Sequence, residues 1–130
     1  MYKKLLATVL FLASVSLLAH EGHDDAPGAI KANHGGVVKA GKDVNLEYKV
    51  SGDVVELYPV SHEGKDLTAS EIKVTATGKL PKGKVEPLKL EVKNGVYTAK
   101  LNFKGAYRIE VLVTADNKGK LSTFKFQAEK

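Results

Sequence analysis

The stretch HEGHDDAPGAIKANHGG (20–36) concentrates metal-binding chemistry. It holds His20, His23 and His34, three of the four histidines of the 130-residue chain, with Glu21, Asp24 and Asp25 beside them. If the mature chain starts at His20, that one residue offers two ligands, its free α-amine and its imidazole. A free α-amine has a pKa of ~7.7–8.0, so a metal can displace its proton near neutral pH. His23 follows three residues on, and Gly22 lets the backbone fold back so that both imidazoles reach one ion. Glu21 and Asp24 add hard oxygen donors and negative charge. His34, before Gly35-Gly36, is a further candidate ligand or equally a turn residue. His62 sits in a polar loop, SHEGKD (61–66), and by itself reads as an exposed loop histidine.

The ligand types narrow the metal. The chain has no Cys, and its one Met is Met1. Soft Cu(I) is poorly served by such a set. Imidazole, amine and carboxylate suit Cu(II), Zn(II) or Ni(II), and the Irving–Williams order favours Cu(II). The His20-Glu21-Gly22-His23 run is one residue short of the HExxH spacing, so a zinc protease is excluded. Gly-x-Ser-x-Gly and phosphate-binding glycine loops are absent, and no nucleophile is paired with a base. The sequence therefore points to binding without catalysis. A copper oxidase would need another imidazole across the ion, which His34 or His62 could supply, and a substrate face that nothing in the sequence indicates.

Where the mature chain starts is set by residues 1–19. Lys3 and Lys4 precede an apolar run, LLATVLFL (5–12), and a small-residue stretch, ASVSLLA (13–19). This is the layout of a secretory signal peptide. The apolar run is shorter than the ~20 residues a spanning helix needs. A cut after Ala19 fits best, and a cut after Ser16 stays open. The expected location is periplasmic or secreted, with no membrane insertion after cleavage. The formal charge of +5 includes Lys3 and Lys4, so the mature chain is only mildly basic. Its lysines at 73, 79, 82, 84, 89 and 93 alternate with apolar residues, Gly or Pro, as on solvated strand faces and turns. Arg108 is the one arginine. Nucleic-acid binding is set aside, because it favours a basic patch interleaved with exposed aromatics and arginines.

Residues 20–34 read as a flexible leader and 35–130 as the folded domain. From Gly35 onward, apolar residues recur with period two, the mark of strands with one buried face. Val44, Leu46, Tyr48 and Val50 alternate with Asn45, Glu47 and Lys49. Further strands are expected over 53–60, 72–78, 85–92, 96–103, 106–115 and 120–128. Pro87 favours an edge strand or a bulge in the 85–92 strand, and Asn94-Gly95 is a strong hairpin turn. Tyr48, Tyr58, Tyr97, Tyr107, Phe103, Phe124 and Phe126 fall at strand periodicity and read as core. Seven or eight short strands with frequent turns and no helical pattern predict an all-β fold, a single antiparallel β-sandwich. The alternative function for such a domain is a non-catalytic adaptor of the cell envelope, with the leader acting as a tether.

The leader HEGHDD, the triplet His34-Gly35-Gly36, the strand bearing Glu47 and the stretch from Leu57-Tyr58 to Gly64-Lys65 resemble exported proteins and domains associated with heavy-metal efflux. The stretch NGVYTAKLNFKGAYRIEVLVTADNKGKLSTFKFQ (94–127) resembles periplasmic immunoglobulin-like domains of the YtkA and copper-resistance CopC type. The resemblance implies an immunoglobulin-like sandwich concerned with divalent metal and partnered by an envelope efflux component. In CopC-type proteins the N-terminal histidine is a Cu(II) ligand, a role only His20 matches. This chain departs from that type in lacking a Met-rich Cu(I) segment and a histidine in its C-terminal half.

Overall fold

The computed structural model describes residues 30–130. The signal peptide and the calls on His20, Glu21, His23 and Asp24 lie outside the described residues. Nine strands form two antiparallel sheets. One sheet has the order β1 (Val37–Lys39), β2 (Asn45–Ser51), β3 (Val54–Val60), β7 (Val96–Lys100), β6 (Glu91–Lys93). The other has the order β5 (Val85–Leu88), β4 (Lys73–Lys79), β8 (Arg108–Asn117), β9 (Lys120–Glu129).

The period-two pattern sends one side of each sheet inward. Leu46, Val55, Leu57, Tyr97 and Ala99 from the first sheet meet Val74, Ala76, Val111, Val113, Phe124, Phe126 and Ala128 from the second in one core. Tyr48 stacks on Phe126 across the interface, with ring centroids 3.8 Å apart and planes 7° from parallel. The hairpin turns follow their residue types. Asn94 and Gly95 both have positive φ (50° and 79°), as a type I′ turn demands, and so do Lys118 and Gly119 between β8 and β9.

The strand count exceeds the sequence expectation of seven or eight for two reasons. A short β1 precedes β2. The stretch 85–92 is not one strand but two: β5 pairs with β4, and β6 pairs with β7 in the other sheet. Leu88 and Leu90 both pack against the core, so apolar alternation runs through the corner and conceals the change of sheet. Pro87 lies on β5, an edge strand, as its missing N–H requires.

Two tyrosines read as core lie elsewhere. Tyr107 is 65% exposed, ahead of β8, with the Arg108 guanidinium 5.5 Å from its ring centroid. Tyr58 faces outward from β3, because Leu57 on the same strand takes the inward position.

Candidate functional site

Glu47 organises the site. Period two turns it away from the core, yet it is completely buried. Its cover is the chain segment immediately before β1, which folds over the outer face of β2. The backbone N–H of Asn33 donates to Glu47 Oε1 at 2.8 Å, and those of His34 and Gly36 donate to Oε2 at 2.8 Å each. Burial by itself raises a carboxyl pKa. Here the three backbone hydrogen bonds and the nearby His34 outweigh it and hold Glu47 below the ordinary value of 4.5. Both oxygens are thereby occupied by the protein's own backbone.

The two glycines make this clasp possible. Gly35 has φ +75°, a left-handed conformation that costs a side-chain-bearing residue free energy. At Gly36 a Cβ would lie 2.4 Å from the Tyr48 carbonyl oxygen and 2.7 Å from Lys49 Cγ. The His-Gly-Gly triplet is therefore a turn built around a carboxylate.

The same turn fixes His34. Its ring stacks on Tyr58, with centroids 3.9 Å apart and planes 11° from parallel. Its Nε2 lies 3.0 and 3.1 Å from the two carboxylate oxygens of Asp66. Asp66 is held by its own loop: it bridges Val60, and Leu67 N–H donates to the Pro59 carbonyl at 2.9 Å. The Asn33 side-chain amide donates to the Gly64 carbonyl at 3.0 Å, tying the turn to the same loop. Tyr58 donates its hydroxyl to Glu56. Burial, that hydrogen bond, and the charges of Glu56, Glu47 and Asp66 push the Tyr58 phenol up to about 12. Burial is the largest cause, and the three carboxylates add to it.

An aspartate accepting from Nε2–H sets the tautomer of a histidine and leaves the Nδ1 lone pair as its ligating atom. Among the described residues no group of three or more His, Asp or Glu has the geometry of a metal site. His34 is thus a single imidazole with the Asp66 carboxylate at its Nε2. His62 is engaged elsewhere, its Nε2 lying 3.2 Å from the Gly41 carbonyl. Sequence reasoning missed Asp66 and Tyr58 as partners of His34. Asp66 is 32 positions away in a polar loop, and no local pattern connects the two. The signal that could have found Glu47 is the glycine pair before the first strand, since two glycines permit a close backbone approach.

No family model matches the chain, and no protein of curated function does. The fold is similar to that of a DUF4426 family protein from Pseudomonas aeruginosa PAO1. The TM-score is 0.55 at 22% identity, over 72% of this chain and 96% of that one. A likeness of that order shows the shared β-sandwich. A bromine derivative of BhCBM56 aligns with a TM-score of 0.47 at 17% identity, over 73% of this chain and 100% of that one.

Proposed function

We propose that this chain is an exported, non-catalytic binding protein that buffers or hands over a divalent metal, Cu(II) in preference to Zn(II) or Ni(II). The observation that carries the reading is the His34–Asp66 pair, seated on Tyr58 at the point where the histidine-rich leader joins the sandwich. Asp66 presents His34 in the form in which carboxylate-backed histidines bind metal. The surrounding carboxylates favour a cation. His34 Nδ1 would be one ligand, and the His20 amine and imidazole and the His23 imidazole would supply the rest, with Glu21 and Asp24 nearby. Ten residues lie between His23 and His34, and the eleven steps span roughly 36 Å when fully extended. The leader is long enough to fold back onto the turn.

Glu47 is outside this ligand set, since its oxygens already accept three backbone hydrogen bonds. Its part is to hold the turn that displays His34.

Isothermal titration of the exported protein with Cu(II) tests the reading. A 1:1 complex is expected, weakened about tenfold or more in His34→Ala and further in His20→Ala/His23→Ala, since each lost ligand removes at least about 1.4 kcal/mol. Unchanged affinity in all variants, or no binding by the wild type, would favour the adaptor reading instead.

A further inference from the structure

The free edges of the two sheets are unequal. β1 and β6, the edges of one sheet, are three residues each, and β5 in the other sheet has four residues and carries Pro87. Short strands and proline guard a sheet against edge pairing. β9 has neither. Its ten residues pair with β8 in an unbroken register, from Asn117↔Lys120 to Arg108↔Glu129.

The hairpin turn decides what that edge offers. Around the two-residue turn Lys118-Gly119, Asn117 and Lys120 form the hydrogen-bonded pair that closes the hairpin. Alternation then turns the backbone groups of Lys120, Ser122, Phe124, Phe126 and Ala128 toward β8. Lys130 N–H continues the series with a 2.9 Å bond to the Tyr107 carbonyl. The N–H and C=O groups of Leu121, Thr123, Lys125, Gln127 and Glu129 point the other way, where no strand pairs with them among the described residues.

The sandwich leaves room for a strand there. The corner between β5 and β6 sets those two strands at one side of the molecule, so β9 and β1 lie at the other. β9 faces β2: Tyr48 stacks on Phe126, and Val44 N–H donates to Ser122 Oγ at 3.2 Å. β1 therefore overhangs the edge of β9 by one strand. Val37 on β1 pairs with Tyr48 and shares its face, yet is 53% exposed, because the second sheet ends one strand short beneath it.

We propose that a second copy of this chain fills that position, its β9 pairing antiparallel with β9 about a two-fold axis. Such an interface must be self-complementary, and the side chains of β9 choose its register. Pairing centred on Lys125 would set two ammonium groups opposite each other, which is destabilising. Pairing centred on Gln127 sets Lys125 opposite Glu129 of the copy, twice by symmetry, and joins the free backbone groups of Lys125, Gln127 and Glu129. On the inner side it sets Phe126 opposite Ala128 of the copy, so the added strand continues the apolar face beneath β1. The two four-stranded sheets join into one.

Sedimentation velocity of the chain beginning at His20, in EDTA to exclude metal-bridged species, tests the pairing. A concentration-dependent monomer–dimer equilibrium is expected, weak because so short a strand pair buries less than a standard interface. Hydrogen exchange should slow at the Lys125, Gln127 and Glu129 amides as concentration rises and stay fast at Leu121 and Thr123, which lie outside the overlap. Lys125→Glu and Glu129→Lys should each weaken the dimer about tenfold, since each makes two attractive pairs repulsive. The double variant should restore it to within about twofold. Gln127→Pro removes an N–H from the open edge and none from the β8 ladder, and should abolish the dimer. Should the proline disturb the fold, the charge reversal and its rescue decide alone. A monomer at every concentration up to about 1 mM, or a dimer that the charge variants leave unchanged, would overturn the proposal. So would protection of the same three amides at every concentration, which would assign the edge to the chain's own leader.

Discussion

Two regions of this sandwich handle charge in opposite ways. At the His-Gly-Gly turn, Glu47 is buried and saturated by three backbone donors, Asp66 holds His34, and Tyr58 donates to Glu56. At β4 and β5, Lys79, Lys84 and Lys89 are exposed and form no ion pair among the described residues. The difference separates charge that builds structure from charge the structure does not use. A buried carboxylate persists only where its hydrogen bonds offset desolvation.

The comparison predicts a gradient of stability effects. Glu47→Ala should cost most, about 2–3 kcal/mol, because it leaves three backbone N–H groups without their acceptor. The corresponding fall in melting temperature is about 10–20 °C. Gly36→Ala comes next at about 1–3 kcal/mol, the usual cost of forcing an atom into filled space. Here the obstacle is the Tyr48 carbonyl oxygen at 2.4 Å, backbone rather than a flexible side chain. At β4 and β5, the Lys79→Gln/Lys84→Gln/Lys89→Gln variant should stay within about 0.5 kcal/mol of wild type or exceed it, as exposed substitutions do. If the lysine variant lost as much as Glu47→Ala, the contrast between the two regions would be wrong.

The pH dependence sharpens the same contrast. Glu47 is held below its ordinary value of 4.5. Its contribution to stability is therefore full above that value and is lost as pH falls through the folded pKa. Tyr58 is raised from 10.0 to about 12. Its contribution is full below pH 10 and is lost as pH rises from there toward 12. Urea unfolding as a function of pH should show both limbs. Glu47→Gln should flatten the acid limb and Tyr58→Phe the alkaline one.

The sandwich itself was legible because alternation reports burial directly. Leu46, Leu57, Val111, Val113 and Phe124 all lie where period two places them. The same rule failed at Glu47, which it put on a wet face. Periodicity records which side of a strand a residue occupies, not whether another segment of chain lies over that side. It failed at 85–92 for a related reason, since both halves of a corner can alternate while belonging to different sheets. His34 stood out in the sequence by its residue type and by the glycines that follow, as a candidate ligand or equally a turn residue. Its Asp66 partner did not, because the contact is made by the fold across 32 positions.

The central functional claim is that the clasped turn presents His34 with Nε2 on Asp66 and Nδ1 available to metal. Ring ¹⁵N NMR of the histidines in the chain beginning at His20, before and after one equivalent of Zn(II), addresses it directly. The account predicts an Nε2–H tautomer at His34 in the metal-free protein and a zinc-induced shift at its Nδ1, both lost in Glu47→Ala, which releases the turn. A His34 ring that is unaffected by zinc, or that binds it through Nε2 with Asp66 displaced, would contradict the account.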